Sequence, residues 1–416
     1  MRYLILGSSA AGIAAADVLR QNCPNDKITM ISADETIHSR CMLYQYLSNE
    51  RDKESLNFTR ENFFEQNDIE LILNSPATSV NTNDKTVALE KYDIAYDRLL
   101  IATGASSFIP NIPGLRSCKN VYTLGSLSDA VLIKKAAKKA TTIAIIGSGL
   151  VGMGIAYALS RYYSDIHVVE MANHIIPAQL DHYVASMYQS QFEKKGIEFH
   201  LAREISDVLL SGSGRAVALE FDKRCMLPCD MIIVAAGSSP NISFLESSEI
   251  ELNNGVVVNK HMLTSVDDVY AAGDVTGIAT NWYAAVKQGR VAGCNMANPN
   301  SMSYDEYFHM ASSINFGGTT TISIGKVTPP DNDCKVLVYN DDEQYLKLVM
   351  KDGIAIGVLL FGDISNSGHW RYIVKNAVPL DKLGKTPNLA SFADFFDIDS
   401  HTAEFRYKAL PVSAIR

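Results

Sequence analysis

One unit occurs twice in this chain, and that duplication limits the fold more than any other feature. The short apolar segment Tyr3-Leu4-Ile5-Leu6 runs into Gly7-Ser8-Ser9-Ala10-Ala11-Gly12 and then an Ala-rich helical stretch, Ile13 to Leu19. Ile143-Ala144-Ile145-Ile146 runs into Gly147-Ser148-Gly149-Leu150-Val151-Gly152 and a second helical stretch. A strand that enters a helix this way needs a tight turn at the first glycine, close backbone approach to a pyrophosphate at the middle position and close strand-helix packing at the last. The helix N-terminus then faces the anion. Ser9 replaces the middle glycine in the first copy.

The second copy continues into Ile166-His167-Val168-Val169 and ends in Glu170. A carboxylate there accepts hydrogen bonds from the adenosine ribose and repels a 2′-phosphate, and no Arg follows in Met171-Ala172-Asn173-His174, so NADH is favoured over NADPH. In the first copy the strand Ile28 to Ile31 leads to Asp34 and Glu35, either of which can reach a ribose or stand solvated. The two copies also close alike, with Asp97-Arg98-Leu99-Leu100-Ile101-Ala102-Thr103-Gly104 in one and Asp230-Met231-Ile232-Ile233-Val234-Ala235-Ala236-Gly237 in the other. Each span is long enough for a βαβ unit, a β-meander and a closing strand.

Beyond the second module, Val266-Asp267-Asp268-Val269-Tyr270-Ala271-Ala272-Gly273-Asp274 reads as a strand ending in Gly-Asp, followed by a helix with Gln288-Gly289-Arg290-Val291-Ala292-Gly293. This order of motifs resembles the two-dinucleotide flavoproteins of the pyridine nucleotide-disulfide oxidoreductase type, over residues 1 to about 300. The resemblance implies an α/β fold with two Rossmann-like three-layer domains and a small C-terminal α+β domain. It implies FAD on the first module, held by Gly7, Ser9, Gly12, Glu35, Arg40, Ala77, Thr103, Gly104, Gly273, Asp274 and Trp282, with Asp274 bonding the ribityl chain. It implies NADH on the second, held by Gly147, Gly149, Gly152, Glu170 and Gly237.

The segment His38-Ser39-Arg40-Cys41-Met42-Leu43-Tyr44-Gln45-Tyr46-Leu47 narrows the choice of subfamily. The Cys-x4-Cys pair of the disulfide reductases is absent, which excludes a dithiol relay of that type. The segment resembles the Ser-Arg-Pro-x-Leu stretch of rubredoxin reductases and nitrite reductase flavin domains, in which electrons leave the flavin singly, with Cys41 in place of Pro. It also resembles the Asn-Cys-x-Leu-Pro-Tyr-Tyr stretch of coenzyme A disulfide reductases and NADH oxidases, where one Cys is the redox centre. Cys41 is therefore the candidate catalytic residue, and Arg40 or His38 is expected to favour its thiolate. Two charges of the family pattern are missing: Gln45 stands where electron-transferring reductases often carry Lys, and Gly154 where the family usually has Glu. Ala10 stands where NADH peroxidases carry His, which disfavours peroxidase chemistry.

Residues 301 to 416 change to alternating strand patterns and a helix containing Trp370, Arg371 and Tyr372, a small α+β domain. The expected division is 1–110 with 245–300 for FAD, 111–244 for NAD and 301–416 for an interface domain whose aromatic tail (Phe392, Phe395, Phe396, Phe405, Tyr407) is either core or a docking surface, with core favoured. The 37 Lys and Arg against 46 Asp and Glu leave a net charge of -9 without a basic block, which argues against nucleic acid as a partner. Seven scattered cysteines, an odd number, fit reduced thiols in the cytoplasm, and the N-terminal residues lack the pattern of an export signal. The nearly apolar run Ile143 to Leu159 reads as a strand plus helix start, not a membrane span. With no His-x3-His or Cys-x2-Cys spacing, no metal site is expected. The expected function is electron transfer from NADH through FAD to a redox protein or iron-sulfur subunit, in a homodimer or hetero-complex. The alternatives are a Cys41-dependent coenzyme A disulfide or persulfide reductase or NADH oxidase, and a flavin-binding assembly subunit without turnover.

Overall fold

The computed structural model describes residues 1–222, 225–278, 280–304, 311–341, 344–380, 396–398 and 405–407. The chain divides into two compact units, one built from Met1–Asn173 with Glu193–His309 and one from His174–Phe192 with the described residues beyond 310. His174–Phe192 lies within the second module in sequence but belongs to the C-terminal unit in space.

The first unit contains the same architecture twice. A five-stranded parallel sheet has the order Val269–Ala271, Arg98–Ile101, Arg2–Leu6, Lys27–Ile31, Ile69–Ile72. Its central strand is apolar from Tyr3 to Leu6 because both faces are covered: Tyr3 and Ile5 pack with helix residues such as Ala15 and Val291, and Leu4 and Leu6 with Val80, Val87 and Leu89. An antiparallel meander, Ala77–Asn81, Thr86–Leu89 and Asp93–Ala95, precedes the strand that closes the module. The second sheet runs Ile197–His200, Ile166–Val169, Ile143–Ile146, Met231–Val234, Val121–Thr123, with its own meander of Asp207–Leu210, Ala216–Asp222 and Cys225–Pro228.

Small residues bring helix Ala10–Asn22 against helix Trp282–Ala297. A methyl group added at Gly289 would meet the Ala11 carbonyl oxygen at 2.1 Å, so the two backbones touch where only glycine fits. The short strands Ala105–Ser107 and Ser238–Pro240 pair antiparallel and tie the two modules together. No helix among the described residues is long and apolar enough to cross a membrane.

The second unit is a five-stranded antiparallel sheet, Ala311–Phe316, Thr319–Gly325, Ile354–Gly362, Gln344–Lys351, Lys335–Asn340, with helix Ser367–Lys375 burying Trp370 and Ile373 against it. Helix His182–Glu193 completes it, and its buried Tyr188 hydroxyl donates to the Thr319 carbonyl at 2.9 Å. Tyr183 stacks on Tyr345 at 4.8 Å, and the Tyr345 hydroxyl donates to Asp181 at 2.6 Å. The alternating strands and the helix with Trp370 expected beyond residue 301 are both present. Of the aromatic tail, Phe392 and Phe395 lie outside the described residues, as do the side chains of Phe396, Phe405 and Tyr407.

Candidate functional site

A cavity of about 670 Å³ opens at the carboxyl ends of the first module's parallel strands. Open α/β sheets bind their ligands at this edge. Gly7, at φ +115°, makes the turn out of the central strand, and a side chain there would run into the Ala102 carbonyl oxygen at 2.0 Å. Gly12 does not line the cavity. It faces the Gly7 carbonyl so closely that a methyl group would sit 1.9 Å from that oxygen, which is the packing role expected of the last glycine. Ser9 caps the helix Ala10–Asn22, whose first turn holds no acidic residue and whose N-terminus borders the cavity.

Of the residues expected to hold FAD, Gly7, Ser9, Arg40, Ala77, Thr103, Gly104, Gly273, Asp274 and Trp282 line this cavity, as does Cys41. Glu35 does not: it is exposed, and its neighbour Asp34 stands in the wall. The Asp34 carboxylate accepts from the Arg40 guanidinium at 3.3 Å, while Arg40 also donates to the Ala105 carbonyl at 3.2 Å. Directly after the strand Lys27–Ile31 stands Ser32, buried, accepting from the Ser8 hydroxyl at 2.8 Å and from the Asp34 backbone N–H at 3.2 Å. Asn241, also in the wall, donates to the Thr103 carbonyl at 2.9 Å and fixes the first module's closing turn.

Asp274 follows Gly273, whose φ is +85° and whose N–H donates to the buried Gln288 side chain at 2.7 Å. Burial pushes the Asp274 carboxyl up, and Arg40 only partly offsets this. A half-buried carboxyl in a cavity wall, opposite a helix N-terminus free of acids, fits a ligand with hydroxyls at one end and a pyrophosphate at the other. FAD has both.

In the second module Gly147 repeats the turn at φ +102°, Gly152 abuts the Gly147 carbonyl with 2.0 Å for a methyl group, and nothing stands within 4 Å of a methyl group at Gly149 or Gly237. Glu170 closes the site by accepting from the Ser148 backbone N–H and hydroxyl, both at 2.8 Å, and from the Ala172 N–H at 2.9 Å. Its carboxylate thus holds the glycine turn in shape and keeps lone pairs for a ribose.

Residues 1–289 match the family model described as pyridine nucleotide-disulphide oxidoreductase, and 311–377 match the rubredoxin NAD+ reductase C-terminal domain. The chain belongs to the pyridine nucleotide-disulphide oxidoreductase family. That family uses FAD and NAD(P)H, in agreement with the two glycine turns. Among its relatives, the nitrite reductase [NAD(P)H] of Bacillus subtilis is 26% identical over 92% of this chain and 48% of its own, so this chain spans about half of that protein. The NADH-dependent phenylglyoxylate dehydrogenase subunit epsilon of Aromatoleum evansii is 26% identical over 92% of this chain and 93% of its own. The crystal structure of NADH:rubredoxin oxidoreductase from Clostridium acetobutylicum superposes with a TM-score of 0.73 at 26% identity, covering 94% of this chain and 98% of that one.

Within this member of the family, Cys41 reaches solvent through the cavity but is ringed by protein elsewhere, so burial, and then the Asp274 charge, push its thiol up. The expectation that Arg40 or His38 favours the thiolate is not met. Arg40 is committed to Asp34 and Ala105, and buried His38 spans the Thr36 carbonyl at 3.0 Å and the Leu127 N–H at 3.3 Å. The two missing family charges have a common structural replacement. A methyl group at Gly154 would lie 3.4 Å from the Tyr44 ring, which covers that face of helix Leu150–Leu159. Gln45 donates to the Tyr44 hydroxyl at 3.4 Å and accepts from Arg51 at 2.7 Å. Around this contact, Tyr162 donates to the Ser48 carbonyl at 2.9 Å, Arg161 pairs with Glu50, and Lys134 donates to the Tyr46 carbonyl at 3.1 Å, linking the two modules.

Proposed function

We propose that this chain is an FAD-dependent NADH oxidoreductase that passes electrons to a redox protein or iron-sulfur partner, as the NADH-reacting subunit of a larger assembly in the cytoplasm. The observation that carries this reading is the setting of Cys41. It is the one cysteine among the described residues lining the cavity, and its neighbouring charge is a carboxylate, which opposes a thiolate. The near-complete overlap with a relative named as a dehydrogenase subunit supports the partnered form.

FAD, when bound, supplies acceptance of a hydride and onward release of electrons. This chain's residues bind and orient. The Gly7 turn and the N-terminus of Ala10–Asn22 would hold the pyrophosphate, and Asp274 the ribityl hydroxyls. The Gly147 turn and Glu170 would hold NADH, and no Lys or Arg stands from Met171 to His174 to meet a 2′-phosphate.

The test is an anaerobic NADH titration of the flavoprotein and of Cys41→Ser. Bleaching at one NADH per FAD, identical in both, with dye reduction preserved, is expected. Uptake beyond the capacity of FAD, with a long-wavelength band that disappears in Cys41→Ser, would overturn this reading for a Cys41-dependent disulfide or persulfide reductase. The Tyr44 cover on Gly154 favours a second reading, a flavin-binding assembly subunit, and a flavin that NADH fails to bleach would establish it.

A further inference from the structure

On the second module's sheet, away from the glycine turn, four side chains converge. Strands Ile166–Val169 and Ile197–His200 pair in parallel with His167 opposite Glu198, and His200 lies two residues beyond Glu198 on the same face of its strand. His167 Nδ1 is 3.1 Å from His200 Nε2 and 3.4 Å from a Glu198 carboxylate oxygen. One ligating atom from each of the three lies within 4.8 Å of the other two. On the far side of the ring, His167 Nε2 is 2.9 Å from Asp165 Oδ1, and the Thr142 hydroxyl donates to the other Asp165 oxygen.

The Asp165 contact commits a His167 proton to Nε2, which leaves Nδ1 presenting a lone pair toward the Glu198 carboxylate and toward His200. With His200 in the tautomer that carries its proton on Nδ1, its Nε2 is a third acceptor beside His167 Nδ1 and the Glu198 carboxylate, and a cation between the three satisfies them all. We propose that His167, Glu198 and His200 form a binding site for a divalent transition metal of the zinc class, with water as the remaining ligand. The spacing suits it, because two Zn–N bonds of roughly 2.0–2.1 Å at a tetrahedral angle place their nitrogens about 3.3 Å apart. Asp165 supplies the outer carboxylate that orients a metal-bound imidazole in many such sites. The His167 side chain is 10% exposed and that of Glu198 is 70% exposed, so the site has a rigid inner wall and an open side for metal entry.

The site is built on the strand that also braces the NADH side, since the Glu170 N–H donates to the His200 carbonyl at 3.0 Å. Metal binding ties the outermost strand of this sheet to its neighbour and stabilises the module that carries Glu170.

The experiment takes the chelator-treated, flavin-loaded full chain and titrates it with Co²⁺, then Zn²⁺, following cobalt visible absorption and the melting temperature. One Co²⁺ per chain, displaced by Zn²⁺, with a rise in melting temperature on zinc, is expected. Glu198→Gln and His200→Gln should each lower the cobalt affinity by at least about tenfold, and Asp165→Asn by roughly 10–100-fold. Flavin content and circular dichroism establish that each variant is folded, and Glu198→Gln alters a side chain that is mostly in solvent. Absence of cobalt bands at large molar excess overturns the proposal. So does binding that survives both ligand substitutions, because the ion then sits on thiols elsewhere.

Discussion

The two glycine turns of this protein share one backbone and differ in what holds it. In each, the first glycine donates its N–H to the carbonyl of the neighbouring strand's last residue, Gly7 to Ile31 at 2.7 Å and Gly147 to Val169 at 2.8 Å. The next residue along that strand decides the difference. In the second module it is Glu170, whose charged oxygens accept three hydrogen bonds. In the first it is Ser32, which joins Ser8 through a neutral hydroxyl pair, while the nearest carboxylate, Asp34, is tied to Arg40. Both turns require their first and last glycines, where a side chain would strike a carbonyl, whereas the middle position and the strand-end side chain differ between them.

The largest effect expected from breaking this comparison is at the glycines. In Gly7→Val the side chain meets the Ala102 carbonyl at a φ that disfavours it, so we expect a loss of more than about 3 kcal/mol and a protein that retains no flavin, read by absorbance after gel filtration. Gly147→Val should instead keep its flavin and lose NADH reduction, read by stopped flow. Next in size is the strand-end pair. Glu170→Ala removes charge-assisted bonds worth roughly 1.5–3 kcal/mol and should raise KM for NADH about tenfold to a hundredfold with flavin content unchanged. Ser32→Ala removes one neutral bond and should cost about 1 kcal/mol in thermal unfolding.

The contact between the modules sharpens the comparison further. Gly154→Glu forces Tyr44 aside and should destabilise by about 1–3 kcal/mol, and Tyr44→Ser in the same chain should recover most of it, a coupling that a double-mutant cycle measures. The smallest effect concerns Cys41. Because its thiol is held above the ordinary range, less of it is thiolate at neutral pH, and alkylation should accelerate only as pH rises through that elevated value. Asp274→Asn removes the opposing carboxylate and should shift this profile to lower pH, as followed by mass spectrometry of the alkylated peptide.

Much of the first unit is legible in the sequence because its determinants are local. A strand of four or five apolar residues, a glycine forced to positive φ and a helix of small residues are specified within a few positions of one another. The Gly7 turn, Asp274 and Cys41, distant in the chain, come together in the wall of one cavity. Glu35 does not join them, because a loop between strand and helix has no fixed period, and its neighbour Asp34 turns inward to meet Arg40. The position after the strand end, which Glu170 takes after Val169, is Ser32 after Ile31, a polar but uncharged residue.

The sequence by itself determined two dinucleotide modules, their order and the family, since glycine sterics and apolar periodicity act over short stretches of chain. Only the tertiary structure decided that Tyr44 fills the space beside Gly154, that His174–Phe192 joins the C-terminal sheet, and that His167, Glu198 and His200 share one face. Each of these pairs residues far apart along the chain. Strand register and the packing of one element on another bring such residues together, and neither is written in the spacing of the residues themselves.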